Sequence, residues 1–209
     1  SVYDGNRYDG WNEYVTYGGI PIIVLAASDE QKMALLDNLL KETYLSDIVK
    51  RNKLRNVGEM ETLLDILASA IGSLTNPNKL QNTFKSVNQS KITATTITRY
   101  MEYLKDAFLI EEARRFDIKG KKYIGTPMKY YFMDMGLRNA RINFRQMEVT
   151  HAMENVIYNE LRMRGYSVDV GNLSIAETGK DGKAVKKQLE VDFTCKKGSK
   201  KYYLQSAYM

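Results

Sequence analysis

The apolar period of this chain changes near Phe108, and that change limits what the chain can become. In ITATTITRYMEYLKDAFLI, the residues Ile97, Tyr100, Met101, Leu104 and Phe108 recur at helical spacing, the stripe of a helix with one buried face. Directly after it, LIEEARRFDI and KYYFMDMG read as strands, and GKKYIGTP between them carries turn chemistry at Gly120, Gly125 and Pro127. A helical first part feeding a strand-rich second part predicts an α+β chain built in several pieces.

Upstream of the switch every apolar pattern is helical. Residues 1–20 read as a polar, aromatic-studded lead-in ending at the Gly18-Gly19-Ile20-Pro21 breaker, and Pro21 can open a helix. Asp29 is placed to cap a helix carrying Met33, Leu36, Leu39 and Leu40, and TYLSDIVKRNKL continues the pattern to about Leu54. GEMETLLDILASAIGSL follows, with Met60, Leu63, Leu64, Leu67, Ile71 and Leu74 on one face. Then come the turn Thr75-Asn76-Pro77-Asn78 and the short helix KLQNTFKSV. Three helices followed by a two-stranded basic ribbon is the layout of a winged helix-turn-helix. In that layout 95–106 is the reading helix and the segment around Lys119 to Lys122 the wing.

Charge supports the same reading. The chain carries a net charge of +6, and nine basic residues fall between Arg114 and Arg145 against only Asp117 and Asp134. A cationic excess concentrated this way is the footprint of a phosphate-binding surface, and a merely solvated lysine-rich hairpin is the alternative. On the reading helix, Thr95, Thr98 and Arg99 lie off the apolar stripe and could approach a groove. Glu102 and Asp106 share that side and would be repelled by phosphate, which shifts the expected contacts toward Arg114, Arg115, Lys119, Lys121, Lys122 and Lys129.

From Met147 the pattern reads helix, strand, strand, strand. MEVTHAMENVIYNELRMRG places Val149, Met153, Val156, Ile157 and Leu161 toward a core and ends at Gly165. YSVDVG is a strand, 172–187 a polar lysine-rich loop, and LEVDFTC and KYYLQSA two more strands. Glu190 and Asp192, two apart, share one strand face, as carboxylates must to hold one divalent cation. His151 lies one turn before Glu154 and reads as a surface or structural histidine, while Cys195 reads as packing. So few strands leave sheet faces to cover, so a further helix and strand beyond Met209 are expected.

Several classes are excluded or disfavoured. One cysteine rules out an internal disulfide framework, and one histidine beside it argues against structural zinc. The longest near-apolar run, GGIPIIVLAA, is about half a bilayer span, and SVYDGNRYDGW lacks the apolar core of a signal peptide. The expected setting is soluble and cytoplasmic, with no membrane partner.

YVTYGGIP, KETYLSDIVKR, ITRYMEYLKDAFLIEEARRFDIKGKK, KYYFMDMGLRN, MENVIYNELRMRGYSVDVG and EVDF with YYLQSA together resemble the C-terminal region of a group of prokaryotic AAA+ ATPases. The resemblance covers nearly the whole chain. It implies a helical ATPase-lid segment over 1–55, a winged helix over 56–140 and a partial restriction-endonuclease-like, PD-(D/E)xK, α/β unit over 141–209. No G-x-x-x-x-G-K-[ST] occurs, so ATP and its Mg²⁺ would belong to an upstream core, with no cofactor in this segment. By the resemblance, Glu154 matches the helix acid of such nucleases and Asp192 the strand acid, a possible Mg²⁺ pair, with Glu190 beside them. Gln205 stands where a second strand acid would be and Ala207 where a lysine would be, so the nuclease unit is expected to be degenerate. The function this implies is a DNA-binding or regulatory arm of an AAA+ ATPase. An Mg²⁺-dependent nuclease and a protein–protein interaction module are the alternatives.

Overall fold

The computed structural model describes residues 5–87, 89–145, 148–178 and 184–207. Among these, the helices are Arg7–Tyr17 (α1), Pro21–Val24 (α2), Asp29–Asn38 (α3), Ser46–Asn52 (α4), Val57–Ser69 (α5), Pro77–Val87 (α6), Ala94–Asp106 (α7), Met135–Arg141 (α8) and Val149–Met163 (α9). A π-helical stretch, Leu39–Leu45, joins α3 to α4. The strands are Ile110–Asp117 (β1), Lys122–Phe132 (β2), Ser167–Thr178 (β3), Ala184–Lys197 (β4) and Lys200–Leu204 (β5). The chain is mixed α+β. No described helix is long and apolar enough to cross a membrane.

The strands form one sheet in the order β2-β1-β3-β4-β5. Neighbours are antiparallel except β1 and β3, which run parallel through Arg115 opposite Val170 and Phe116 opposite Gly171. The basic ribbon β1–β2 therefore does not stand alone but is the first half of a larger sheet. Asp117 folds its tip: Oδ1 accepts from the Lys119 and Gly120 N–H groups at 3.1 and 2.9 Å, which closes the turn.

Two apolar clusters hold these elements. The larger draws Val15, Leu36, Ile48, Leu64, Ile97, Leu104, Phe132 and Ala152 together, so it takes residues from all three expected segments. The smaller lies between α9 and the sheet, with Ala113, Tyr131, Tyr158, Val168, Val170, Phe193 and Cys195. Tyr131 and Tyr158 stack at 4.3 Å there, and Phe193 sits 6.1 Å from one ring and 6.3 Å from the other. Burial pushes the Cys195 thiol up to about 11, as an inert packing residue requires.

The cap of α3 is Ser28, whose hydroxyl accepts from the Gln31 N–H, and not Asp29, which is the first helical residue. Larger departures from the sequence reading occur at three places. The first is the lead-in, where α1 begins at Arg7. Asn6 accepts from the Tyr8 and Asp9 N–H groups while Asp9 accepts from the Asn6 N–H, a reciprocal cap that the aromatic residues obscure in the sequence. The second is KYYFMDMG, where the strand stops at Phe132. Asp134 turns the chain into α8 by accepting from the Leu137 N–H at 3.1 Å and also from the Gly19 N–H at 2.8 Å. Burial raises the Asp134 carboxyl pKa above its ordinary value, although three backbone N–H groups pull it down. Gly136 is required beside it, because a Cβ there would fall 2.1 Å from the Tyr17 carbonyl oxygen. The third is the expected loop 172–187. There β3 and β4 continue as a long hairpin through Leu173 opposite Leu189 and Ile175 opposite Lys187. Leu173 to Ala176 and Lys187 to Leu189 are half-buried or exposed, so the sequence there need not alternate, and 179–183 lie outside the described residues.

The two edges of the sheet differ. On β2, Met128 exchanges backbone hydrogen bonds with Thr75 at 2.8 and 2.9 Å. At the end of the same strand Asn155 bonds both backbone groups of Phe132, and Asn159 donates to the Phe132 and Met133 carbonyls. On β5 every residue is exposed, and Lys200 and Lys201 supply the charge that discourages edge pairing.

Candidate functional site

Two of the three acidic residues singled out in the sequence, Glu154 and Glu190, come together around a lysine. Glu154 projects from α9 toward β2, where Lys129 and Tyr131, two apart, share the face that α9 covers. Lys129 Nζ donates to Glu154 Oε1 at 2.9 Å and lies 2.7 Å from Glu190 Oε1 on β4. The Tyr131 hydroxyl donates to the same Glu154 oxygen at 2.5 Å. Glu154 is 6% exposed and Lys129 4%, so this is a buried ion pair with a half-exposed third member in Glu190.

The electrostatics follow from that burial. Desolvation alone would lower the Lys129 pKa, but Glu154 and Glu190 outweigh it, and the ammonium is held above its ordinary value. Burial, and then the negative charges of Glu154, Asp192 and Glu190, push the Tyr131 phenol far above its ordinary range. That phenol is a permanent donor here.

Asp192 sits at 7% exposure and is committed elsewhere. Its Oδ2 accepts from the Ser206 N–H at 2.7 Å and the Ser206 hydroxyl at 2.6 Å, which ties the segment after β5 to β4. Gln205 Oε1 makes a long contact, 3.4 Å, with the Asp192 N–H and points no carboxylate at the cluster. Of the two acids matched to a divalent cation, Glu154 has its Oε1 taken by an ammonium and a phenol, and Asp192 has its Oδ2 taken by Ser206. Among the described residues no three His, Cys, Asp or Glu side chains are grouped as a metal ion would need.

Lys129 is therefore a correction to the expected phosphate contacts: it faces the interior. Of the other members of the basic run, Arg138 is buried as well and Arg141 partly so. Arg138, 2% exposed, donates from Nε to the Ala68 carbonyl at the end of α5, at 2.8 Å. Burial lowers its pKa, with Glu148 opposing. Arg141 grips Asp65 with two parallel hydrogen bonds, 2.6 and 2.9 Å, from α8 to α5. All three partners lie dozens of residues away or on another element, so the local run of positive charge gave no sign of them.

The rest of the run stays outside. Arg114, Lys119, Lys121 and Lys122 are exposed, and Arg115 is half-buried. Thr95, Thr98 and Arg99 are exposed on α7, with Glu102 paired at 2.8 Å to Lys105, which it shares with Glu112. Beside them a cleft of about 550 Å³ opens at the start of α7, lined by Lys53, Arg55, Lys91 and Arg99 with Glu59 among them. Lys53, Arg55 and Lys91 were missed in the sequence because they lie on two separate stretches that only the packing of α4 against α7 unites. His151 lies 3.4 Å from Glu148 and takes no part in the Glu154 cluster's hydrogen bonds given above.

Residues 8–148 match a family model described as a domain of unknown function (DUF8612). The chain belongs to that family. It is also similar to an uncharacterized protein of Haemophilus influenzae, 34% identical over 198 residues that make up 95% of this chain and 46% of that protein. A second relative, Uncharacterized protein MJ1544 of Methanocaldococcus jannaschii, is 31% identical over 182 residues, 87% of this chain and 38% of the relative. The chain spans less than half the length of either. No solved structure matches.

Proposed function

We propose that this chain is a nucleic-acid-binding arm that does not cleave its ligand, carried in a longer prokaryotic protein beside an AAA+ ATPase core. In this reading α5, α6 and α7 with the β1–β2 ribbon are the winged helix, and α9 with β3, β4 and β5 descend from a nuclease-like unit. What supports the loss of cleavage is Lys129: its ammonium, shared by Glu154 and Glu190, offsets part of the negative charge that would draw a metal to Glu154. What supports nucleic acid as the ligand is the outer charge, with Lys119, Lys121 and Lys122 on the ribbon and Lys53, Arg55, Lys91 and Arg99 around the α7 cleft. Contacts of this kind bind phosphate without reading sequence and weaken steeply as salt rises.

A gel-shift salt titration, run with and without Mg²⁺, tests the reading. Duplex DNA should bind with a steep salt slope, show no Mg²⁺-dependent cutting, and bind more weakly after charge reversal at Lys121 and Lys122. Cutting that needs Mg²⁺ and is lost in Asp192→Ala would make the chain a nuclease. Binding that ignores salt and these charges would leave it a protein-interaction module. ATP hydrolysis belongs to the upstream part, and a Walker-type loop in the same reading frame is the test of that part.

A further inference from the structure

We infer that the open part of the sheet face turned away from α9 is a stacking platform for single-stranded nucleic acid; the inference deepens the nucleic-acid reading above and rests on it. The pairing defines the face. Phe116 lies opposite Tyr123 and beside Gly171, Asp169 opposite Thr194, Thr194 opposite Tyr203, and Lys196 opposite Lys201. These side chains point away from α9, whose face takes Ala113, Val168, Val170, Phe193 and Cys195 instead.

On this face cations and rings interleave. Arg114 lies over the Tyr123 ring at 4.2 Å, and Lys201 lies over Phe116 at 4.7 Å and near Tyr203 at 5.6 Å. Phe116 and Tyr123 meet edge to face at 5.4 Å. Tyr123 is 50% exposed and Tyr203 51%, so each keeps ring surface for a further flat group. The two tyrosines stand on β2 and β5, four strand spacings of about 4.8 Å apart, a span for a few nucleotides.

A second observation points to a ligand. Beside Tyr123 a hollow of about 430 Å³ is lined by Phe116, Tyr123, Asp169, Thr194, Lys196 and Lys201. On it, Thr194 is 4% exposed and its hydroxyl has no hydrogen-bond partner. A buried polar atom left unmatched in the lining of a cationic, aromatic hollow is one that a polar ligand can satisfy once the side chains around it shift. The one carboxylate there, Asp169, accepts from the Tyr123 hydroxyl at 3.1 Å and braces that ring. Rings that offer stacking, cations that neutralise phosphate and a hydroxyl that bonds a base edge or phosphate are what a single strand needs. A duplex hides its base faces in its own stack and cannot use the rings.

The test is fluorescence anisotropy of the 209-residue chain with a labelled oligothymidylate and a labelled duplex. Tyr203→Ala and Lys201→Glu, both at exposed positions, should each weaken oligothymidylate binding about 10-fold and leave duplex binding unchanged. Lys201→Glu should also reduce the salt slope by about one unit. Thr194→Val, which removes the hydroxyl and keeps the shape, should weaken the single strand alone. If all three variants bind oligothymidylate as the parent does, while charge reversal at Lys121 and Lys122 weakens the duplex, the platform is overturned and the DNA-binding arm stands. If neither ligand binds in a salt-sensitive way, both readings fall together. If polyglutamate competes as well as oligothymidylate and Tyr203→Ala changes nothing, the face reads charge alone and the stacking proposal fails.

Discussion

Lys129 and Lys201 stand on opposite faces of one five-stranded sheet. Lys129 lies under α9, sealed from water, and its ammonium is divided between Glu154 and Glu190 with Tyr131 on the shared oxygen. Lys201 lies where the described residues place no helix, and its ammonium rests on the faces of Phe116 and Tyr203. The residue type and the backbone geometry are the same. What differs is the cover, since a charge beneath a helix must find a carboxylate or lose its proton, whereas a charge in water can stay available. The comparison explains why a basic segment counted along the chain overstates the surface: Lys129 and Arg138 are buried, and Arg141 is held by Asp65.

The largest effect should come from breaking the covered side. Lys129→Ala leaves Glu154 buried without its cation and should cost about 3–5 kcal/mol of stability, measured by denaturant unfolding. A loss near zero would mean that the acids are solvated and the two faces do not differ. The pH dependence of the parent chain sharpens the same point. The folded Lys129 pKa lies above the ordinary 10.5, so its contribution is complete below that value and disappears as pH rises through the folded value. Melts of the parent should therefore fall faster on the alkaline side than melts of Lys129→Met.

A third prediction concerns Cys195, also on the α9 side and fully buried, with its thiol pushed to about 11. A thiol reagent at pH 8 should label it only after unfolding. Immediate labelling would show that α9 does not cover the sheet as described. The smallest effect belongs to the open side. Tyr203→Ala should change stability by no more than about 0.5 kcal/mol, because its ring is half in water and sits on an edge strand. A larger loss there would mean that this tyrosine serves the fold rather than a ligand.

Much of the architecture was legible along the chain. α5, α6, α7 and α9 were placed by their apolar stripes, and β1 and β5 by their composition and flanking turns. The helix α8 was not, since Asp134 is recognisable as its cap only once Gly19 and Tyr17 are packed against it. In the acidic cluster, Glu154, Glu190 and Asp192 were all readable as candidates. Their partners were not, because Lys129 looked like one more cation in a basic run and Ser206 like a loop residue.

By itself the sequence determined the order of elements, the change from helical to strand period, and which carboxylates could share a face. These follow from repeats of two and 3.6 residues that act between near neighbours. Only the tertiary structure decided which charges were neutralised, which face of the sheet lay open, and that the ribbon joined the tail in one sheet. Those outcomes depend on groups brought together across many residues, where desolvation and pairing act on distance in space and leave no periodic trace in the chain.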